Sequence, residues 1–297
     1  MKQKLLIIGG TSLIGSTIAF NAQNLYDIHV TTHTSSTNID FPSSKLDLIK
    51  DREKIPKIIK DVNPDIVIHT VAYPSVDFCE ENPYAAKLLH VDITKDISLL
   101  CNEINSKLIY FSTDAIFDGK SKKKYTENDI TNPLSQYGET KLNAEKTIQL
   151  TCDKNIILRT TVVYGWHTSS RFTNWVLDNL RNNKTVNAFN DQNNTPTLVT
   201  DLSTCILKIL DCNLFGIFHA AGKSCLSRYE FALKLAESFG FDKNLIISTQ
   251  SSEKQLAPRP VNGCLDASKL EHLTNFHFSN IDEGINYLLT ESKNQNI

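Results

Sequence analysis

Tyr137 and Lys141 are the residues whose types and spacing most directly suggest chemistry in this chain. Of the nine tyrosines, only Tyr137 has a lysine four positions later. On a helix, that spacing puts both side chains on one face. A neighbouring ammonium favours the phenolate, so the phenol's pKa is expected to fall from about 10. A phenol tuned toward neutrality can give or take a proton at a carbinol or carbonyl oxygen. Hydride-transfer chemistry asks this of a protein, because the cofactor carries the hydride. Two upstream features strengthen the reading: the hydroxyl of Thr113 in Ser112-Thr113-Asp114, and a glycine turn from Gly9 to Gly15.

That turn, Gly9-Gly10-Thr11-Ser12-Leu13-Ile14-Gly15, lies between an apolar run over 5–8 and a helix expected over 13–24. Backbone N–H groups at such a helix start can meet a pyrophosphate. Gly9, Thr11, Ser12, Leu13, Ile14 and Gly15 are therefore candidate cofactor residues. Gly9 permits the tight turn and Gly15 lets helix and strand pack closely. Ser12 stands where a middle glycine is usual; its Cβ crowds the phosphate approach, while its hydroxyl could donate a hydrogen bond. A second strand over 28–32 ends in Thr32, His33, Thr34 and Ser35, with no carboxylate for an NAD ribose. A 2′-phosphate is admissible there, so NADPH is favoured and NADH is possible. Asp47 and Leu48 are candidates for the adenine end, and Asp47 reads equally as a surface loop carboxylate.

The elements that must position these groups alternate. Strands are expected over 65–71, 107–111 and 155–163, and helices over 51–60, 83–102 and after Pro133. This is the pattern of an α/β fold, a Rossmann-type doubly wound parallel sheet. Beyond Tyr164-Gly165 the rhythm loosens. Helices are expected over 171–182, 200–210, 227–239 and 281–291, with a strand over 216–221. Ser227 and Glu230 have capping-box spacing. No internal repeat or long linker is present.

Hydrophobic content of 40%, charged content of 22% and a net charge of -2 describe an ordinary globular protein with no basic excess for nucleic acid or a membrane surface. No segment is long enough to span a bilayer. The seven cysteines are scattered without a Cys-x-x-Cys pair, which leaves zinc and dithiol sites unsupported. Reduced thiols and a cytoplasmic setting are expected.

The ordered motifs resemble an extended short-chain dehydrogenase/reductase of the dTDP-4-dehydrorhamnose reductase (RmlD-like) branch. The resemblance runs from Gly9–Gly15 through 63–69, 76–80, 110–114, 117–119, 132–134 and 137–142. It continues through Arg159-Thr160, 190–192, Pro196-Thr197 and Arg259-Pro260. It implies Thr113, Tyr137 and Lys141 as a catalytic trio: Thr113 on the substrate C4 oxygen, Tyr137 as acid, and Lys141 on the nicotinamide ribose. Asp114 and Val76 would meet the substrate, and Ala72, Tyr73 and Pro74 would border the cofactor. Arg259 is a candidate for the nucleotide diphosphate, or for a structural salt bridge. The implied activity is NADPH-dependent reduction of the C4 keto group of a nucleotide-linked 4-keto-6-deoxyhexose. The implied smaller C-terminal lobe binds substrate. Residues 1–165, with 190–220 returning, are expected to form the NADP(H)-binding domain, and 166–189 with 221–297 the substrate lobe. A homodimer is possible, and no resident metal is expected.

The chain also departs from that branch. Val162 replaces a tryptophan that faces the sugar, Pro74 a threonine, and His90 an asparagine. Ser16 and Thr17 offer no carboxylate where some bacterial members bind metal. The chain resembles, in addition, the regulatory β-subunit of methionine adenosyltransferase, a non-catalytic relative, at 216–219 and Tyr229-Glu230. A sugar-nucleotide dehydratase fits less well, because Ala115 stands where those enzymes carry glutamate.

Overall fold

The computed structural model describes residues 1–33, 40–251 and 255–294. Along the chain run β1 (Lys4–Ile8), β2 (Asp27–Thr32), β3 (Ser43–Lys45), β4 (Ile66–His69), β5 (Lys107–Thr113) and β6 (Asn155–Thr160). Short strands β7 (Val163–Tyr164), β8 (Val186–Phe189), β9 (Asn193–Asn194) and β10 (Thr197–Leu198) precede β11 (Gly216–His219). Three more follow: β12 (Leu226–Ser227), β13 (Ile246–Thr249) and β14 (Asn262–Gly263). Seven of them make one parallel sheet in the order β11-β6-β5-β4-β1-β2-β3. Leu5 to Ile8 and Ile66 to Ile68 are almost wholly buried, as continuous apolar runs must be when helices cover both faces. The order reverses between β1 and β4, which opens a crevice at the carboxyl ends of those strands.

The helices are α1 (Leu13–Ala22), α2 (Ile55–Val62), α3 (Val76–Glu81), α4 (Pro83–Lys87), α5 (Ile93–Glu103) and α6 (Gln136–Thr151). Then come α7 (Arg171–Arg181), α8 (Val199–Asp211), α9 (Arg228–Ser238), α10 (Ser268–Thr274) and α11 (Ile281–Asn294). The helix expected over 83–102 is broken by a π-turn at Leu88–Asp92. Helices α3 and α10 and the edge strand β3 are additions to the sequence reading. The capping box is present: the Ser227 hydroxyl accepts from the Glu230 N–H, and the Glu230 carboxylate accepts from the Ser227 N–H. Asn63 and Asn275 end α2 and α10 in the left-handed conformation that asparagine tolerates.

One apolar cluster lies on each face of the sheet, and a third fills the smaller C-terminal lobe around Tyr164, Phe231 and Leu288. In that lobe β12 and β14 flank β9. Just outside this small sheet, Cys225 and Cys264 form a disulfide, with Cα atoms 5.6 Å apart. This corrects the expectation of reduced thiols throughout. Thirty-nine positions separate the two in sequence, and the pairing of both strands with β9 closes that distance.

Candidate active site

The glycine turn leaves β1 with Gly9 at φ +93°. A Cβ on Gly9 would fall 2.5 Å from Thr70 Oγ1, and one on Gly15 only 2.3 Å from the Gly9 carbonyl oxygen. Both glycines are thus demanded by close packing, as the sequence spacing suggested. Ser12 behaves differently from the expectation. Its hydroxyl caps α1 by accepting from the Gly15 N–H at 3.0 Å, and it donates to the Gly9 carbonyl at 2.8 Å. The side chain is thereby folded into the turn. The Leu13 and Ile14 amides, in the first turn of α1, lie beyond reach of an intrahelical acceptor. That cradle suits a pyrophosphate.

Thr32 is buried at the end of β2, and His33 is exposed beyond it. Thr34 and Ser35 lie outside the described residues. Asp47 comes within 3.2 Å of His33, so a carboxylate does stand beside the end of β2, supplied by another segment. Its pKa is lowered by backbone N–H bonds, first from Lys50, with further help from Ile49 and His33. Leu48 is buried in the core on one sheet face. Across the crevice, Ala72, Tyr73 and Pro74 follow β4. The Tyr73 N–H donates to His90 Nε2 at 3.0 Å. His90 Nδ1 lies 2.9 Å from Thr140 Oγ1, and Thr140 donates to the Gln136 carbonyl. His90 is therefore the Nδ1–H tautomer, a neutral strut between the π-turn and α6 whose pKa burial pushes down to about 3.

Thr113 ends β5 and Tyr137 sits in the first turn of α6. The Thr113 hydroxyl lies close enough to the Tyr137 phenol to favour its ionised form. Two features bring them together. Ser135 caps α6 by accepting from the Gly138 N–H, and Gly138 lets the helix rest on the Ala115 carbonyl. Thr113 also donates to Asp114 Oδ1 at 3.0 Å, while Asn194 donates to Asp114 Oδ2 at 2.6 Å. Asp114 is buried, and desolvation raises its pKa against the hydrogen bonds of Thr161, Thr113 and Asn194. Both carboxylate oxygens thus have partners, and Asp114 fixes the direction of Thr113.

Lys141 departs from the expected arrangement. It is buried, and its Nζ donates to the Tyr110 hydroxyl at 2.7 Å and the Phe111 carbonyl at 2.5 Å. Burial pushes its pKa down to about 7. The Tyr137 phenol is pushed up to about 12, again chiefly by burial. The expected lowering of the phenol's pKa is not found here. Spacing set the shared helix face correctly, but the four-carbon lysine stem carries its charge to the sheet side.

At the other end of the crevice, Val76 opens α3 behind the Ser75 cap. Arg259 Nη2 pairs with Asp77 at 3.1 Å, yet its Nε is buried without a partner. Arg228, missed in the sequence except as the position after a cap, lies half-buried with its guanidinium 4.9 Å from the Phe172 ring centroid. Burial pushes its pKa down to about 10, opposed by Asp114 and aided by Arg259. Val162 takes φ +47°, a strained backbone for a β-branched residue, beside Thr161. His167 is turned away from this crevice toward Ser16 on α1.

Residues 3–294 match the family described as RmlD substrate binding domain. The chain belongs to that family. It groups with the RmlD-like extended short-chain dehydrogenases/reductases, which are NAD(P)-dependent oxidoreductases. Similar proteins include the probable low-salt glycan biosynthesis reductase Agl14 of Haloferax volcanii, 31% identical over 271 residues, covering 89% of this chain and 90% of the relative. Methionine adenosyltransferase 2 subunit beta of Xenopus laevis is 32% identical over 231 residues, 75% of this chain and 69% of the relative. In fold, the chain superposes on dTDP-4-dehydrorhamnose reductase from Bacillus anthracis, solved in complex with NADP. The TM-score is 0.87 at 23% identity, over 98% of this chain and 100% of that one. Among the described residues, no helix is long and apolar enough to cross a membrane.

Proposed function

We propose that this protein reduces the C4 keto group of a nucleotide-linked 4-keto-6-deoxyhexose with NADPH or NADH, the sequence-based preference for NADPH losing its ground to Asp47, whose carboxylate stands beside the end of β2. The observation that carries the reading is the placing of the Tyr137 phenol beside the Thr113 hydroxyl, opposite a glycine turn shaped for a pyrophosphate. A bound nicotinamide dinucleotide supplies the hydride. The Leu13 and Ile14 amides and Thr11 would hold its diphosphate, Asp47 and His33 would border its adenosine end, and Lys141 would hold its nicotinamide ribose. Thr113 orients the substrate carbonyl oxygen by turning its hydroxyl proton from Asp114 to it, and Tyr137 delivers the proton that the oxygen takes up. A phenol with pKa about 12 is fully protonated at neutral pH, which suits an acid in the reductive direction. Arg259 and Arg228 face the substrate's diphosphate. In this reading, residues 1–165 with 190–220 form the dinucleotide domain, and 166–189 with 221–297 the substrate lobe.

The test is oxidation of NADPH, followed by absorbance, with dTDP-4-keto-6-deoxyglucose or dTDP-4-dehydrorhamnose and NMR of the product sugar. Tyr137→Phe should lower turnover by roughly 10²-fold or more while dinucleotide binding persists. Undiminished reduction by that variant would remove Tyr137 as the acid. A second reading, a nucleotide-binding regulatory subunit, is favoured by the 32% identity to a methionine adenosyltransferase subunit. Absence of turnover, with capture of a methionine adenosyltransferase from native extract, would favour it.

A further inference from the structure

The withdrawn place of Lys141 is a fully formed binding site for its ammonium. It consists of the Tyr110 hydroxyl, the Phe111 carbonyl and the Tyr110 ring face, whose centroid is 4.1 Å from Nζ. Tyr110 lies in the middle of β5 and is 1% exposed. Its hydroxyl lies near that of Thr94, which favours the ionised phenol, and Thr94 Oγ1 is 3.3 Å from His69 Nε2. Thr94 and His69 are both buried, and His69 Nδ1 has no partner. No part of this chain of groups has a role in the reaction proposed above. No hydrogen bond joins Lys141 to Tyr137 among the described residues, so the ammonium lies apart from the phenol it is spaced to meet.

We propose that Tyr110 is a positioning residue that holds Lys141 in a resting place, and that a nicotinamide dinucleotide must draw the lysine out in order to bind. This rests on the reading that Lys141 meets the nicotinamide ribose. Tyr110 then sets cofactor affinity without touching the cofactor. When only a fraction of molecules has the lysine available, the apparent Kd is the intrinsic Kd divided by that fraction. A hydrogen bond to a charged group is worth roughly tenfold or more in an equilibrium. Removing the phenol oxygen leaves the carbonyl and the ring, and so weakens the resting place without abolishing it. Loss of a buried contact elsewhere in a core would loosen cofactor binding. This substitution should tighten it.

The experiment is calorimetric titration of the full-length chain with NADPH and with NADH, comparing wild type, Tyr110→Phe and Thr94→Val. Tyr110→Phe should lower Kd by about tenfold. Thr94→Val, which takes a polarising hydroxyl from beside the phenol and also from His69 but leaves both Lys141 contacts in place, should lower it by about twofold. In sugar reduction, KM for the dinucleotide should fall further than kcat changes. Wild-type or weaker binding by both variants would overturn the proposal, and Thr94→Val decides the matter if Tyr110→Phe does not fold. A wild-type chain that binds dinucleotide but reduces no sugar would instead defeat the reductase reading and leave this comparison intact. A chain that binds neither dinucleotide would defeat both.

Discussion

Gly138 separates two expectations sharply, because helix propensity and packing give opposite signs. It lies in α6 between Tyr137 and Lys141. On propensity alone, Gly138→Ala should stabilise a helix interior by about 1 kcal/mol. In the folded chain, however, a Cβ there would lie 2.2 Å from the Ala115 carbonyl oxygen and 3.0 Å from the carbonyl carbon. Ordinary carbon–oxygen contacts begin near 3.3 Å, so α6 must retreat from the Thr113–Ala115 turn by roughly 1 Å. The Ala115 carbonyl is backbone in the tight turn just after β5, and a Cβ is fixed directly to the start of α6, so neither can yield by a rotamer change. The retreat moves Tyr137 away from Thr113, and those two hydroxyls are the groups that must converge on one substrate oxygen. A misplacement of about 1 Å at a reacting centre costs about 10²-fold in rate. Overpacking of this kind also costs about 1–3 kcal/mol of stability. The assays are steady-state sugar reduction, dinucleotide titration and urea unfolding. The variant should lose turnover by about 10²-fold, bind dinucleotide within a few-fold of wild type, and unfold at lower urea. Turnover near the wild-type level with a raised unfolding midpoint would show that helix and turn separate freely, and the reasoning would fail.

Three other outcomes can be measured. Glu145 and Arg159 form a buried bidentate pair linking α6 to β6, so Glu145→Gln should cost about 3 kcal/mol in urea unfolding by stranding a buried guanidinium. The Lys141 pKa, about 7 in the folded chain against about 10.4 unfolded, means that the unfolded chain holds more protons between those values. The Lys141 contribution to stability should therefore rise with pH across that window, by up to about 1.4 kcal/mol per unit, and be constant below pH 7; it is read as the difference between the wild-type and Lys141→Met stability curves, because buried histidines and cysteines titrate in both, and a difference that stays flat from about pH 7 to 10 would refute the assignment. Reducing Cys225–Cys264, which closes a separation of 39 residues, should lower stability by about 4 kcal/mol on the loop-entropy estimate, read as the difference between urea curves with and without dithiothreitol.

What was legible in the sequence was whatever depends on local spacing and on apolar runs. The continuous runs of β1 and β4 announced a sheet buried on both faces, and Ser227 with Glu230 announced the start of α9. The glycines of the first turn were readable because only a missing Cβ fits beneath Thr70 and Gly9. Long flexible side chains and contacts between distant segments were not readable. Lys141 shares a face with Tyr137, yet its stem reaches across to Tyr110. The phenol's pKa was misjudged because burial outweighs a charge placed elsewhere. Arg228 was hidden because nothing in Ser227-Arg228-Tyr229-Glu230 says that Phe172, from another helix, will lie beneath it. Asp47 reaches the end of β2 from a segment beyond β3, a juxtaposition no strand pattern encodes. The π-turn carrying His90 lacked a proline or glycine to mark it.

The bond between Cys225 and Cys264 makes residues 225–264 a covalent ring. That ring carries α9, β13 and the Arg259-Pro260 segment. A protease that severs one peptide bond inside it leaves a nicked molecule whose two pieces still travel together. Electrophoresis would report an intact chain until a thiol reductant is added, and then two fragments.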